Sequence, residues 1–295
     1  MPRLPFAFLL LTLCLSAQES TKVVILGTGT PNADPDRSGP SIAIVVNGSS
    51  YLVDAGPGVV RRASAANARG IAALALPRLK TVFLTHLHSD HTVGLPDLVY
   101  TPWTKERTDP IRIFGPPGTR ALVHHIEQAW AQDVHMRLTG GEPSNKTGYR
   151  AVSTEIKAGV VYQDANVKVT AFAVPHGSWK HAFGYRFDTK DRSIVISGDT
   201  TYSPAVAKAC DGCDVLLHEV YSQPGFERRT PDWQAYHSRY HTSSRDVARV
   251  ATAARPKLLV LYHQLFWGTA EDDLVREVQQ GYAGNVVSAK DLEVY

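Results

Sequence analysis

The chain has 295 residues, 43% hydrophobic and 20% charged, which excludes a disordered or fibrous protein and allows one large α/β domain or two small ones. Its formal net charge is +3. Arg3 lies in a segment expected to be removed, so the mature chain is nearly neutral and has no strong basic footprint for nucleic acid.

Residues 1–17, MPRLPFAFLLLTLCLSA, have the form of a signal peptide. Arg3 supplies a positive start, Leu4 to Leu15 is apolar, and Ser16 and Ala17 are small residues for cleavage. The run is shorter than the roughly 20 residues of a spanning helix. Leu13 before Cys14 argues against a lipid site. The expectation is a secreted or periplasmic protein, with no membrane span after removal and one domain over residues 18–295.

Apolar, β-branched runs predict strands at 23–26, 42–46, 51–54, 81–85 and 111–114, then at 167–174, 183–187, 194–197, 215–218 and 258–262. Helical periodicity falls at 59–68, 119–133, 243–253 and 272–280. Ser243 with Asp246, and Thr269 with Asp272, are spaced like capping boxes. Residues 139–148 are polar with Gly and Pro, and read as a linker or mobile surface loop rather than a domain boundary. Cys210 and Cys213 are left after signal removal; export permits a disulfide between them, and two free thiols fit equally well.

The chemistry concentrates where the strand at 81–85 runs into His86-Leu-His88-Ser-Asp90-His91. Alternate residues of an extended segment share a side, so His86 and His88 face one ion, while Asp90 and His91 face a second as the chain turns. Imidazole nitrogen with carboxylate oxygen suits Zn²⁺. His176, Asp199 and His263 each follow a predicted strand, and with the cluster they complete two coordination spheres. Gly27, Gly29, Gly56 and Gly58 make no nucleotide fingerprint, because no helix follows L-G-T-G-T-P; they read as turns that let backbone pass close to the site.

H-L-H-S-D-H at 86–91, G-D-T at 198–200 and the late histidines 241 and 263 resemble the metallo-β-lactamase superfamily. L-G-T-G-T-P at 26–31, V-D-A-G-P-G at 53–58 and H-T-S-S at 241–244 are similar to the branch that holds ribonuclease Z and the zinc-dependent arylsulfatases and phosphodiesterases. The resemblance implies an α/β fold, a four-layer αββα sandwich with metals at one edge. It implies two Zn²⁺ ions, with Mn²⁺ or Fe as substitutes. One ion takes His86, His88 and His176, the other Asp90, His91 and His263, and Asp199 bridges them. Asp199 stands where the true β-lactamases usually have cysteine, which argues against that activity.

The implied reaction is hydrolysis of phosphate diesters or sulfate esters by a hydroxide between the ions. Asp90 sits in the catalytic motif, His241 is the candidate for assisting the leaving group, and Glu219 the candidate for orienting His241. Asp54 reads as the carboxylate that steadies the histidine loop. Trp103, Trp179, Phe266 and Trp267 outline a pocket for an aromatic leaving group, with core packing as the alternative. Two other activities use the same metals: a ribonuclease Z-type tRNA 3′-endonuclease and a lactonase or other acyl hydrolase. The bacterial ribonuclease Z arm has no room between His176 and Asp199, so the expected partner is a small ester and not nucleic acid. The oligomeric state is open, a homodimer being one option.

Overall fold

Along the strand β1 (Lys22–Gly27), Val24 and Leu26 turn to one side and Val23 and Ile25 to the other, as the two-residue period of a strand requires, and both sides are buried. The same division runs through the computed structural model, which describes residues 20–295; the signal-like segment 1–17 lies outside them. Strands covered on both faces read as continuous apolar runs, which is why they are legible in the sequence.

Six strands form the first sheet in chain order: β1, β2 (Ser41–Val46), β3 (Ser49–Val53), β4 (Thr81–Phe83), β5 (Ile111–Gly115) and β6 (Ala151–Glu155). The second sheet is β7 (Gly159–Gln163), β8 (Lys168–Ala173), β9 (Phe183–Asp188), β10 (Ser193–Ile196), β11 (Val215–Tyr221), β12 (Leu258–Leu265) and β13 (Val286–Ser288), again in chain order across the sheet. Between the sheets, Ile25, Ile44, Phe83, Tyr185, Phe187, Ile194 and Val260 belong to one buried cluster.

On the outer face of the first sheet lie α1 (Val59–Ala68), α3 (Leu95–Thr104), α4 (Thr119–Ala129) and α5 (Ala131–Thr139), while the short α2 (Ser89–Thr92) carries Asp90 and His91. The second sheet is covered by α6 (Pro204–Cys210) and by α9 (Ser244–Ala254) and α10 (Glu271–Gln279), which follow α7 (Gln223–Glu227) and α8 (Pro231–Tyr240). The expected four-layer αββα sandwich is the observed architecture. Among the described residues, no helix is long and apolar enough to cross a membrane.

Several expectations are corrected in detail. The helix predicted over 119–133 is two helices, because Trp130 leaves helical backbone at φ −102°, ψ 9° and stacks on Tyr100. The box at Ser243 forms, its hydroxyl accepting from Asp246 N at 3.0 Å. The box at Thr269 does not: Ala270 is the N-cap of α10, and the Thr269 hydroxyl pairs with that of Ser222. Residues 140–148 are anchored rather than loose. Asn145 accepts from Gly148 N and donates to Arg107 O, while Arg107, fully buried, donates to Gly148 O. Cys210 and Cys213 form a disulfide closing the turn between α6 and β11. β6, β7, β13, α3, α6 and α8 are additional elements, hidden in the sequence because exposed strands and proline-bearing helices carry weak periodicity.

Candidate metal centre

β4 ends at Phe83, and the next residues leave the sheet under the control of one carboxylate. Asp54, just past β3, accepts from Thr85 N at 2.8 Å, Thr85 Oγ1 at 2.9 Å and His91 Nδ1 at 2.8 Å. Its φ of 61° is left-handed, a conformation that costs a non-glycine residue energy and is held here by these bonds. Thr85 Oγ1 gives its proton to Asp54, so it accepts from His86 Nδ1 at 3.0 Å. His91 and His86 are thereby both protonated at Nδ1, and both turn Nε2 toward Asp199.

The second sheet supplies the other residues from its strand ends. His176 follows β8 and donates from Nδ1 to Tyr240 O at 2.8 Å, which again leaves Nε2 unprotonated. Asp199 follows β10 through Gly198, whose φ is 62° and where a Cβ would meet Phe183 O at 2.6 Å. His263 is the extra residue of a bulge: Glu219 pairs with Tyr262 and Val220 with Gln264, so His263 has no partner in the ladder. Its φ is 48°. A bulge re-aims a side chain, and this one turns His263 to within 3.3 Å of Asp90 and 3.5 Å of Asp199.

The seven expected ligands thus meet at one edge of the sandwich. His86, His88, His176 and Asp199 form one group, Asp90, His91 and His263 a second, and the ligand atoms within each lie within 4.8 Å of one another. Asp199 Oδ2 is 4.0 Å from His86 Nε2 and 3.4 Å from His91 Nε2, between the two groups. Asp199 also groups with His241 and His263, a third combination the sequence reading did not anticipate.

The residues fit divalent cations. His91 Nε2 and Asp199 Oδ1 are buried with no hydrogen-bond partner, an arrangement that costs energy unless something else satisfies them. Burial alone would raise Asp90 and Asp199, yet the surrounding imidazoles hold Asp90 at about 2 and Asp199 well below the carboxylate range. Burial pushes His86 well down, while His91, which burial would also lower, is raised by Asp199, Asp54 and Asp90. Buried carboxylates packed among imidazole nitrogens are a donor set for Zn²⁺ or a similar ion.

His88 differs from its neighbours. Its Nδ1 faces His86 Nε2 at 2.9 Å and His176 Nε2 at 3.2 Å, and its Nε2 accepts from Trp179 Nε1 at 2.8 Å. The ring proton therefore sits on Nδ1, in the place a cation would take.

Glu219 is fully buried beside His241, but not as expected. Its Oε1 accepts from Thr200 N at 3.2 Å and Thr242 N at 2.9 Å, tying the Asp199 and His241 loops together. Oε2 lies 3.3 Å from His241 Nδ1, and neither atom has a well-directed hydrogen bond. Burial and then Asp199 push the Glu219 carboxyl up, and burial pushes His241 down to about 4. Trp103 is removed from the pocket: it is 2% exposed in the first-sheet core and donates to Asn145 O. Trp179 does lie against a ligand, donating to His88, whereas Phe266 packs on Arg37 and the second-sheet core, and Trp267 on His237. Thr85, Tyr240 and His237 were not singled out. Only adjacency to His86 and His241 could have flagged the first two, since their roles rest on a hydroxyl relay and a main-chain carbonyl.

A family model described as a beta-lactamase superfamily domain matches residues 50–264. A ribonuclease Z of Mycobacterium sp. (strain KMS) is 34% identical over 246 residues, covering 83% of this chain and 84% of the relative. Among solved structures, the metallo-β-lactamase fold protein YhfI from Bacillus subtilis superposes with a TM-score of 0.71 at 16% identity, over 93% of this chain and 98% of that one. The short form of human tRNase Z superposes with a TM-score of 0.68 at 23% identity, with the same coverage.

Proposed function

The chain belongs to the metallo-β-lactamase superfamily, in the branch that holds ribonuclease Z, and from that membership we propose that this metal-dependent hydrolase cleaves phosphodiester bonds, with RNA as its substrate class. The observation that carries the reading is the buried Glu219–His241 pair beside a cluster built for two cations. The 34% identity to a protein named ribonuclease Z moves the reading away from sulfate esters and toward nucleic acid.

When bound, the two ions supply an acidified water and a positive field for charge developing on phosphate oxygens. The chain's own residues do the rest. Asp54, Thr85 and Tyr240 O fix which nitrogen of His86, His91 and His176 is free. Glu219 holds the loops bearing Asp199 and His241 in register. With Glu219 protonated and facing His241 Nδ1 at 3.3 Å, a neutral His241 would carry its ring proton on Nε2, the atom that could give it to the leaving oxygen. His241 is 8% exposed.

A second reading, a small phosphodiester outside the cytoplasm, is favoured by residues 177–198. They hold little beyond β9 and β10 and leave no place for an RNA-gripping arm. Export through the segment 1–17 would agree with it. The metal-loaded protein should be given an RNA with a 3′ extension, bis(p-nitrophenyl) phosphate and p-nitrophenyl sulfate in parallel. Cleavage of RNA and the phosphate diester supports the leading reading. Cleavage of the diester with RNA intact selects the second. Turnover of the sulfate alone overturns both.

A further inference from the structure

α8 and the turn before it lie beside the metal cluster, and the mechanism uses only its last carbonyl, Tyr240 O, and the His241 that caps it. The remaining side chains are aromatic and cationic in a pattern that asks for a ligand. Trp233, on the first turn of α8, is 49% exposed. The Arg229 guanidinium lies 5.6 Å from the Trp233 ring and 5.5 Å from the Trp267 ring, clasped between two indoles. Among the described residues no carboxylate pairs with it; neighbouring Glu227 faces Arg245 instead. Arg229 Nε is buried with no hydrogen-bond partner.

Trp267 is held in place at a cost. Its φ is 45°, and Arg228 Nη2 donates to its carbonyl at 3.0 Å. Strain of this kind persists where the surroundings enforce it, and it gathers at ligand sites. From Trp267 a row of rings leads inward: His237 at 4.5 Å, His241 a further 5.5 Å, and His263 a further 5.7 Å and nearly parallel to His241. Trp233 stacks on the same His237, with planes 22° apart. His237 carries no charge into this row: burial, with His241 and Arg229 nearby, lowers it to about 4. A solvated surface helix has no reason to collect a half-exposed indole, a second indole in strained backbone and an arginine with no acid between them.

We propose that Arg229 binds a phosphate flanking the scissile one and that the exposed part of the Trp233 ring stacks a neighbouring base, so that the site accepts a single-stranded nucleotide chain over this shelf. The inference rests on the phosphodiesterase reading and narrows its substrate. Arginine matches phosphate as a fixed fork of donors, and Trp233, though Arg229 and His237 lie against it, keeps about half of its surface open to a base. Stacking of this kind tolerates any base, so the shelf gives affinity without sequence readout.

The test is direct binding to the zinc-loaded full chain, followed by tryptophan fluorescence. The probe is a tri-adenylate with phosphorothioate linkages, with adenosine and ribose 5-phosphate as single-feature controls. Tri-adenylate should quench the fluorescence and bind more tightly than either control. R229Q should weaken it about tenfold, the loss expected for hydrogen bonds to a charged group. R229K should recover only part, because the fork is lost. W233A should weaken binding by roughly tenfold and remove most of the quench. W233F, which keeps an aromatic face, should bind more tightly than W233A and shows whether the ring or the fold was lost. Wild-type affinity in both R229Q and W233A overturns the proposal, as does ribose 5-phosphate binding as tightly as tri-adenylate. If both variants bind normally while the protein still cleaves RNA, the shelf fails and the phosphodiesterase stands. If the variants lose binding in a protein that cleaves no diester, the shelf stands and the activity is something else.

Discussion

Asp54 Oδ2 accepts the Nδ1 proton of His91 at 2.8 Å, and through Thr85 Oγ1 the same carboxylate also sets the tautomer of His86. One residue on the far side of the cluster thus decides which nitrogen of two histidines faces the metals. Outer partners of this kind typically carry 10–100-fold in metal affinity. Asp54→Asn should lower zinc affinity by about that factor in a chelator competition, while leaving the fold intact by circular dichroism. An unchanged affinity would falsify the assignment.

Trp179 should report metal binding directly. Its Nε1–H points at His88 Nε2, which is an acceptor only while the His88 proton sits on Nδ1. A cation on Nδ1 moves that proton to Nε2, and two N–H groups then face each other across 2.8 Å. The indole must shift, so zinc addition to stripped protein should change tryptophan fluorescence, and Trp179→Phe should remove most of the change. A signal that survives in Trp179→Phe places its source elsewhere.

His241→Ala should keep both metals by elemental analysis and lose activity. Proton assistance to a leaving group is worth roughly 10²–10⁴-fold. The loss should be greatest for substrates with alkoxide leaving groups and smallest for nitrophenolate esters, which depart unaided. Equal loss on every substrate would make His241 a phosphate-binding group. Loss of metal would make it a ligand, the combination in which it stands with Asp199 and His263.

Asp199→Ala should behave differently: it removes the carboxylate that lies between the two groups, so metal content and all activities should fall together. Because ions bind only the folded state, they stabilise it by mass action. Chelation should therefore lower the melting temperature of the wild type and have little effect on Asp199→Ala. A wild type whose melting temperature ignores chelator contradicts this.

Arg107 tests the anchoring of residues 140–148. Its guanidinium donates to Leu79 O, Leu98 O, Val99 O and Gly148 O, all within the protein. Arg107→Met keeps the bulk and strands those carbonyls, at about 1–3 kcal/mol for each one that finds no water. Urea unfolding should show a loss of about 3 kcal/mol or more; a loss below about 1 kcal/mol means water replaces the arginine.

The layers of this fold, and the residues that gather at its edge, follow from the sequence alone. Strands such as β1, β10 and β12, buried on both faces, must be unbroken apolar runs, and ligands placed where such runs end must gather at the rim of the sheets. His86, His88, Asp90 and His91 add their own local spacing, so both the cluster and its distant partners were legible. What only the tertiary structure decided is orientation. The bulge that turns His263 inward, the two main-chain amides that hold Glu219, and the carbonyl of Tyr240 that fixes His176 depend on backbone from distant segments. Those groups are the same in every residue, so no side-chain pattern announces them. The Trp233–Arg229–Trp267 shelf was illegible for a related reason: two of its members are four residues apart, one before α8 and one within it, but the third arrives from just past the end of β12 in left-handed backbone.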